Sequence, residues 1–227
     1  LNLSNDIVWD FEFITPTKLQ IASADAGLIE LDLITGTANY LQKINAKSPS
    51  RTEAIHLIRQ DAHKNLWYAN SLSVYQADDE GKLREILTFS GKDPDIHHIR
   101  DLLVVENILL IATSTGLYRF DINENQLQEL HYLPAGVSED QLNSKALMLH
   151  DNQLFIGTVQ GLYRLPATAL QAPTDTIDAE TILPDLNIWK IKYSRQHGLL
   201  LATNTGLVAH DLNSKKDEIL FNEKYLF

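Results

Sequence analysis

The chain has 227 residues, 44% of them hydrophobic, which is enough to bury a large core and excludes the disordered class. Its 30 acidic against 19 basic residues give a net charge of −11, which opposes binding to nucleic acid and points to neutral or cationic partners. There is no cysteine, hence no disulfide and no thiolate metal site, and no apolar run reaches the roughly 18 residues of a membrane span, so no direct membrane contact is expected of this segment.

Read from the N-terminus, the chain repeats itself. A first unit (1–44) holds IASADAGLIELD at Ile21–Asp32, with one extra residue in its central turn, Ser23–Gly27. A second (45–90) holds YANSLSVYQAD at Tyr68–Asp78, where Ser73 stands in the place of glycine. The third (91–134), fourth (135–184) and fifth (185–227) are the most alike, with IATSTGLYRF at 111–120, IGTVQGLYRL at 156–165 and LATNTGLVAH at 201–210. Gly27, Ser73, Gly116, Gly161 and Gly206 are separated by 46, 43, 45 and 45 residues, a period that signals a structural unit repeated along the chain. Two longer connections interrupt the pattern, Pro134–Ser144 and Pro166–Glu180, the latter read as a surface excursion with little to bury.

The fifth unit shows the internal order most plainly: Ile188–Tyr193, a turn, Leu199–Thr203, a tight break ending in glycine, Leu207–Asp211, a polar turn, and Asp217–Phe221. Short strands with turn signals every 8–12 residues indicate all-β structure. Four antiparallel strands per unit, repeated five times, indicate a β-propeller of four-stranded blades. Helical and leucine-rich solenoids are set aside for want of helices and of the right spacing. The units stay in phase from Leu1 to Phe227 and leave no strand over to lock a ring. The segment is therefore expected to belong to a larger propeller, its end faces covered by further blades or by a second copy of the chain.

Four motifs carry a resemblance: D-x-x-x-N-L-W at Asp61–Trp67, L-F-I-G-T at Leu154–Thr158, G-L-Y-R-F-D at Gly116–Asp121 and N-L-S-N-D-I-V at Asn2–Val8. Together they resemble the two-component regulator propeller repeat. Such repeats build extracytoplasmic sensor regions of membrane-bound histidine kinases and diguanylate cyclases, often in bacteria that sense glycans or their breakdown products. The resemblance thus implies a periplasmic, ligand-binding sensor module. A repeat motif signals a fold more than a ligand.

Candidate site residues come from register. Ten residues before the leucine that opens the second strand of a unit (Leu19, Leu66, Leu199) stand Trp9, His56 and Trp189, with Arg100 and Lys145 as approximate counterparts in the third and fourth units. If these side chains point into a channel mouth, two indoles, an imidazole and two cations surround it, and indole faces suit the apolar face of a sugar. The competing reading makes Trp9 and Trp189 core residues between blades. The turns between second and third strands add Asp25 and Asn204, with Ser114, Thr115 and Gln160, to the same end. Trp67, Tyr118 and Tyr163 are read as structural. No catalytic signature and no cofactor motif appears, and His97 and His98, being adjacent, point to opposite faces of a strand and cannot chelate one ion. The function expected is a non-enzymatic sensor binding a small molecule or oligosaccharide. The alternatives are a propeller enzyme acting on polysaccharide, as lyase or glycosidase, and a protein-interaction scaffold.

Overall fold

The computed structural model describes residues 7–24, 27–42, 54–89, 98–134, 143–171 and 176–221. The chain divides into two compact units, Leu1–Val104 and Val105–Phe227. In the first, β1 (Val8–Thr15), β2 (Lys18–Ser23), β3 (Gly27–Asp32) and β4 (Ala38–Gln42) form an antiparallel sheet in chain order. β5 (Leu57–Gln60), β6 (Leu66–Ala69), β7 (Ser73–Ala77) and β8 (Leu83–Thr88) form the next, and β9 (Ile99–Val105) is the first strand of the third sheet. That sheet continues with β10 (Ile108–Thr113), β11 (Leu117–Asp121) and β12 (Gln126–Glu129). In the second unit, β14 (Ser144–His150), β15 (Gln153–Thr158), β16 (Gly161–Pro166) and β17 (Ile177–Pro184) make the fourth meander, and β18 (Ile188–Ser194), β19 (Gly198–Thr203), β20 (Gly206–Asp211) and β21 (Lys216–Phe221) the fifth. These are five propeller blades, and among the described residues the only other regular structure is one 3-10 turn, Ala167–Leu170.

The fourth blade departs from the expected four strands. A short strand, β13 (Tyr132–Pro134), adds to its edge, running parallel to β17 with Tyr132 opposite Ile177. Part of the supposed surface excursion is packed as well, because Ala167 and Leu170 are buried and Arg119 Nε donates to the Leu170 carbonyl at 2.8 Å.

The recurring letters have local causes. In the L-F-I-G-T strand, Gly157 leaves room for the next blade: a Cβ there would lie 2.7 Å from Ile188 Cγ2. Ala22, Ala69, Ala112 and Ala202 hold the same register in the other blades, each paired with the residue that follows the turn. The threonine one position on closes that turn: the Oγ1 of Thr113, Thr158 and Thr203 donates to the carbonyls of Gly116, Gly161 and Gly206 at 3.1, 3.2 and 2.9 Å. In the second blade Asn70 replaces it, its Oδ1 accepting the N–H groups of Leu72 and Ser73 at 2.9 and 2.7 Å, and Ser73 therefore does without a positive φ. Gly161 has no such freedom, since its φ is +150° and a Cβ would lie 2.3 Å from the Leu183 carbonyl oxygen.

The aspartate that ends the third strand is a turn cap. Asp32, Asp121 and Asp211 each accept two backbone N–H groups through Oδ1 at 2.7–3.0 Å. Asp61 of the D-x-x-x-N-L-W motif does the same for His63 and Asn65, and its Oδ2 accepts the indole N–H of buried Trp67 at 3.0 Å.

Adjacent blades bury their facing surfaces. In the first unit Ala22 and Leu28 pack on Ile55, Ile58 and Tyr68, and the Tyr68 hydroxyl donates to Gln20 Oε1 at 2.8 Å. In the second, Phe155, Leu162 and Leu183 meet Ile188, Ile191, Leu199, Leu201 and Val208.

Candidate functional site

Three first strands carry a β-bulge near their start. The pairing register shifts between Val8 and Asp10, between Ser144 and Ala146, and between Ile188 and Lys190, leaving Trp9, Lys145 and Trp189 as the extra residues. A bulge re-aims a side chain out of the regular pleat. In the second blade Leu57 pairs with Ala69 as Lys190 pairs with Ala202, so His56 stands at the same place, its N–H donating to the Ala69 carbonyl at 2.9 Å. Lys145, expected as an approximate counterpart, is a strict one. The missing residue is taken up by a tight turn in which Asp151 and Asn152 both have positive φ, +47° and +58°. Arg100 follows the buried Ile99 as Trp189 follows the buried Ile188, and it is exposed.

In the first unit these positions touch. The Trp9 and His56 rings meet edge to face with centroids 6.2 Å apart. His56 Nε2 donates to the Ile99 carbonyl at 2.9 Å, which reaches the strand carrying Arg100. Both Trp9 and His56 are half-buried.

One step further along the same strands lies an ion network that sequence reasoning missed. Arg59 donates through Nε to Asp101 Oδ1 at 2.9 Å, through Nη2 to the same oxygen, and through Nη1 to Asp10 Oδ2 and to the Ile58 carbonyl. The Asp10 carboxylate also accepts the Ile58 N–H at 3.1 Å, and Asp101 accepts the Leu102 N–H at 3.0 Å. Burial by itself would lower the Arg59 pKa, but the Asp101 and Asp10 charges and their hydrogen bonds outweigh it and hold the guanidinium above its ordinary value. The group is occupied on all sides and ties β1, β5 and β9 together. A signal was present: Asp10 and Asp101 follow the bulge where the second and fourth blades place Leu57 and Ala146.

The second unit joins three of the expected residues through a fourth. Lys145 Nζ sits 3.8 Å from the centroid of the Trp189 ring and donates to Asn187 Oδ1 at 2.9 Å. Asn204 locks Asn187 from the turn between β19 and β20: its Oδ1 accepts the Asn187 N–H at 3.2 Å, and its own N–H donates to the Asn187 carbonyl at 3.1 Å. Trp189 is 49% exposed although its neighbour Ile188 is fully buried. Asn187 carries no motif, and its part depends on which turn the fold brings beside it.

Asp25 and His97 lie outside the described residues. Among the described residues, no group of three or more histidines and carboxylates is placed to hold a metal ion, and no helix is long and apolar enough to cross a membrane.

No family model matches the chain, and no curated protein does. Solved structures do. PorZ, a bacterial surface component of the type-IX secretion system of Porphyromonas gingivalis, superposes with a TM-score of 0.66 at 15% identity over 95% of this chain. The extracellular domain of the putative hybrid two component system BT4673 from B. thetaiotaomicron gives 0.57 at 13% over 96%. A catalytically inactive virginiamycin B lyase from Staphylococcus aureus, solved with quinupristin, gives 0.65 at 12% over 96%. The chain is a β-propeller. At these identities the likeness carries the fold alone, and the chain spans 34% of the PorZ chain, 38% of the BT4673 domain and 71% of the lyase.

Proposed function

We propose that the chain is a recognition module of a bacterial membrane-bound signalling receptor of the two-component or diguanylate cyclase type. It faces the periplasm, does no chemistry itself, and binds a glycan or its breakdown product. The observation that carries this reading is the bulge row: one backbone position, repeated through the blades, presents Trp9, His56, Lys145 and Trp189, and its second-unit members are cross-linked with Asn187 and Asn204 into a fixed surface. Loops and strand ends on a rigid scaffold are where recognition groups concentrate, and an open indole offers a flat apolar face to a sugar ring. Structural likeness to the BT4673 extracellular domain supports the sensor role, and the two-component regulator propeller motifs agree with it. Signalling requires that the ligand favour one arrangement of the receptor over another, since equal affinity for both shifts nothing.

Likeness to virginiamycin B lyase favours a second reading, a propeller enzyme. One experiment separates the two. The 227-residue chain is incubated with a panel of oligosaccharides, and its melting temperature and the products are followed together. A rise in melting temperature without product supports the recognition module, and steady product formation rejects it in favour of the enzyme.

A further inference from the structure

The Lys145–Trp189 cluster specifies more than an open indole, because its polar groups are unequal in kind. An ammonium only donates hydrogen bonds, so the Asn187 side chain must present its oxygen to Lys145. A backbone N–H also only donates, so Asn204 must present its oxygen to the Asn187 N–H. Both amide oxygens are thereby consumed within the chain. Neither NH2 group of this pair donates to any described residue, Asn204 is exposed and Asn187 is half-exposed. What the cluster turns outward is therefore an indole and a set of donors: the two amide NH2 groups beside a lysine cation pinned at 3.8 Å over the ring.

Resting on the recognition reading above, we infer that this cluster takes an acidic saccharide, with the sugar ring on the exposed indole of Trp189 and the carboxylate on the Lys145 ammonium and the flanking amide donors. A neutral sugar satisfies the indole but leaves a cation beside hydroxyls that compete poorly with water. A carboxylate supplies acceptors to several donors at once, and hydrogen bonds to a charged group are about twice as strong as neutral ones. The net charge of −11 does not forbid this, because at physiological salt charges beyond about 8 Å are largely screened and the contacts lie within the cluster.

The test is a calorimetric titration of the 227-residue chain with tetragalacturonate and with the same oligomer fully methyl-esterified, which keeps the rings and removes the charge. The acid is expected to bind about tenfold or more tightly than the ester, the scale of a charge-assisted hydrogen bond. Lys145→Met brings the acid down to the ester's affinity and leaves the ester within twofold. Asn204→Asp changes an exposed side chain, keeps an oxygen for the Asn187 N–H, places a negative charge at the rim and weakens the acid at least tenfold, which provides a check should Lys145→Met unfold. Trp189→Ala weakens both ligands. Equal affinity for acid and ester, or acid binding indifferent to both charge variants, overturns the inference while leaving saccharide recognition standing. Failure of both oligomers to bind overturns it too, and the recognition reading then stands or falls on the wider panel.

Discussion

Gly157→Ala is a direct test of why the second strand of each blade carries a small residue. The new methyl would stand 2.7 Å from Ile188 Cγ2, 3.1 Å from Ile188 Cβ and 3.3 Å from Ala146 Cβ, and Ile188 is fully buried, so it has nowhere to turn. The φ of Gly157 is not positive, so alanine gains about 0.4–1 kcal/mol by restricting the unfolded chain. Overpacking of a tight core costs about 1–3 kcal/mol. The net expected loss is about 1–2 kcal/mol, read as a shift in the urea midpoint, or about 2–8 °C in melting temperature for a protein of this size. Ile188→Ala removes the offending Cγ2 and by itself costs about 2–5 kcal/mol through the cavity it leaves. In that background Gly157→Ala should cost almost nothing or recover stability, because its methyl enters vacated space. The two changes should thus be coupled by about 1–2 kcal/mol. An equal cost of Gly157→Ala in both backgrounds, or a gain in the unmodified chain, refutes the reasoning.

Arg59→Met strands two carboxylates, of which Asp101 is the more deeply buried, and should cost about 3–5 kcal/mol in urea unfolding at pH 7. Adding Asp10→Asn and Asp101→Asn should restore much of that loss, and if it does not, the network is not what holds the strands. At low pH, Asp32, Asp121 and Asp211 are held below the ordinary carboxylate range, first by backbone hydrogen bonds; in Asp61 burial works the other way and is outweighed by the Trp67 indole and Asn65. A depressed folded pKa means stability that is present above the unfolded value of about 3.9 and lost as pH falls through the folded one. The urea midpoint should therefore drop below pH 4, and the acid limb should flatten when Asp32, Asp121 and Asp211 are replaced together by Asn. At high pH, burial pushes the Tyr68 phenol up to about 12 and raises Tyr132 as well. Here the folded pKa exceeds the unfolded value of about 10, so stability is full below pH 10 and declines as pH rises toward 12. Tyr68→Phe should lessen that decline, followed by circular dichroism.

Much of the fold was legible because the blade's grammar is local. In the fifth unit the expected Ile188–Tyr193, Leu199–Thr203, Leu207–Asp211 and Asp217–Phe221 differ from β18 to β21 by a residue at most at each end. Turns closed by Thr203 or capped by Asp211 need only neighbours within four residues, and such contacts write themselves into the repeat. β13 was not legible, since Tyr132 finds its partner Ile177 45 residues away across a proline-containing stretch that carries no strand periodicity. The same distinction divides the site. Trp9, His56 and Trp189 could be aligned by counting because their first hairpins have equal length, whereas Asn187 and Arg59 matter through partners on other strands, which counting along one strand cannot supply.

The five copies also serve as an internal comparison of positions under one backbone. Where the blade needs a small residue the chain writes Ala22, Ala69, Ala112, Gly157 and Ala202, and where the turn needs a hydroxyl or amide it writes Ser23, Asn70, Thr113, Thr158 and Thr203. Packing and hydrogen bonding are the same problem in every blade, so the answers agree. At the bulge and its counterparts the chain writes Trp9, His56, Arg100, Lys145 and Trp189. A side chain that filled the same gap between blades five times over would be held to one size and polarity, as the small residue is. The spread from indole to guanidinium, together with the exposure of Arg100 and Trp189, frees this position from the scaffold's demand. A position freed from packing and held rigid on either side is where an asymmetric ligand can be met by a different group from each blade.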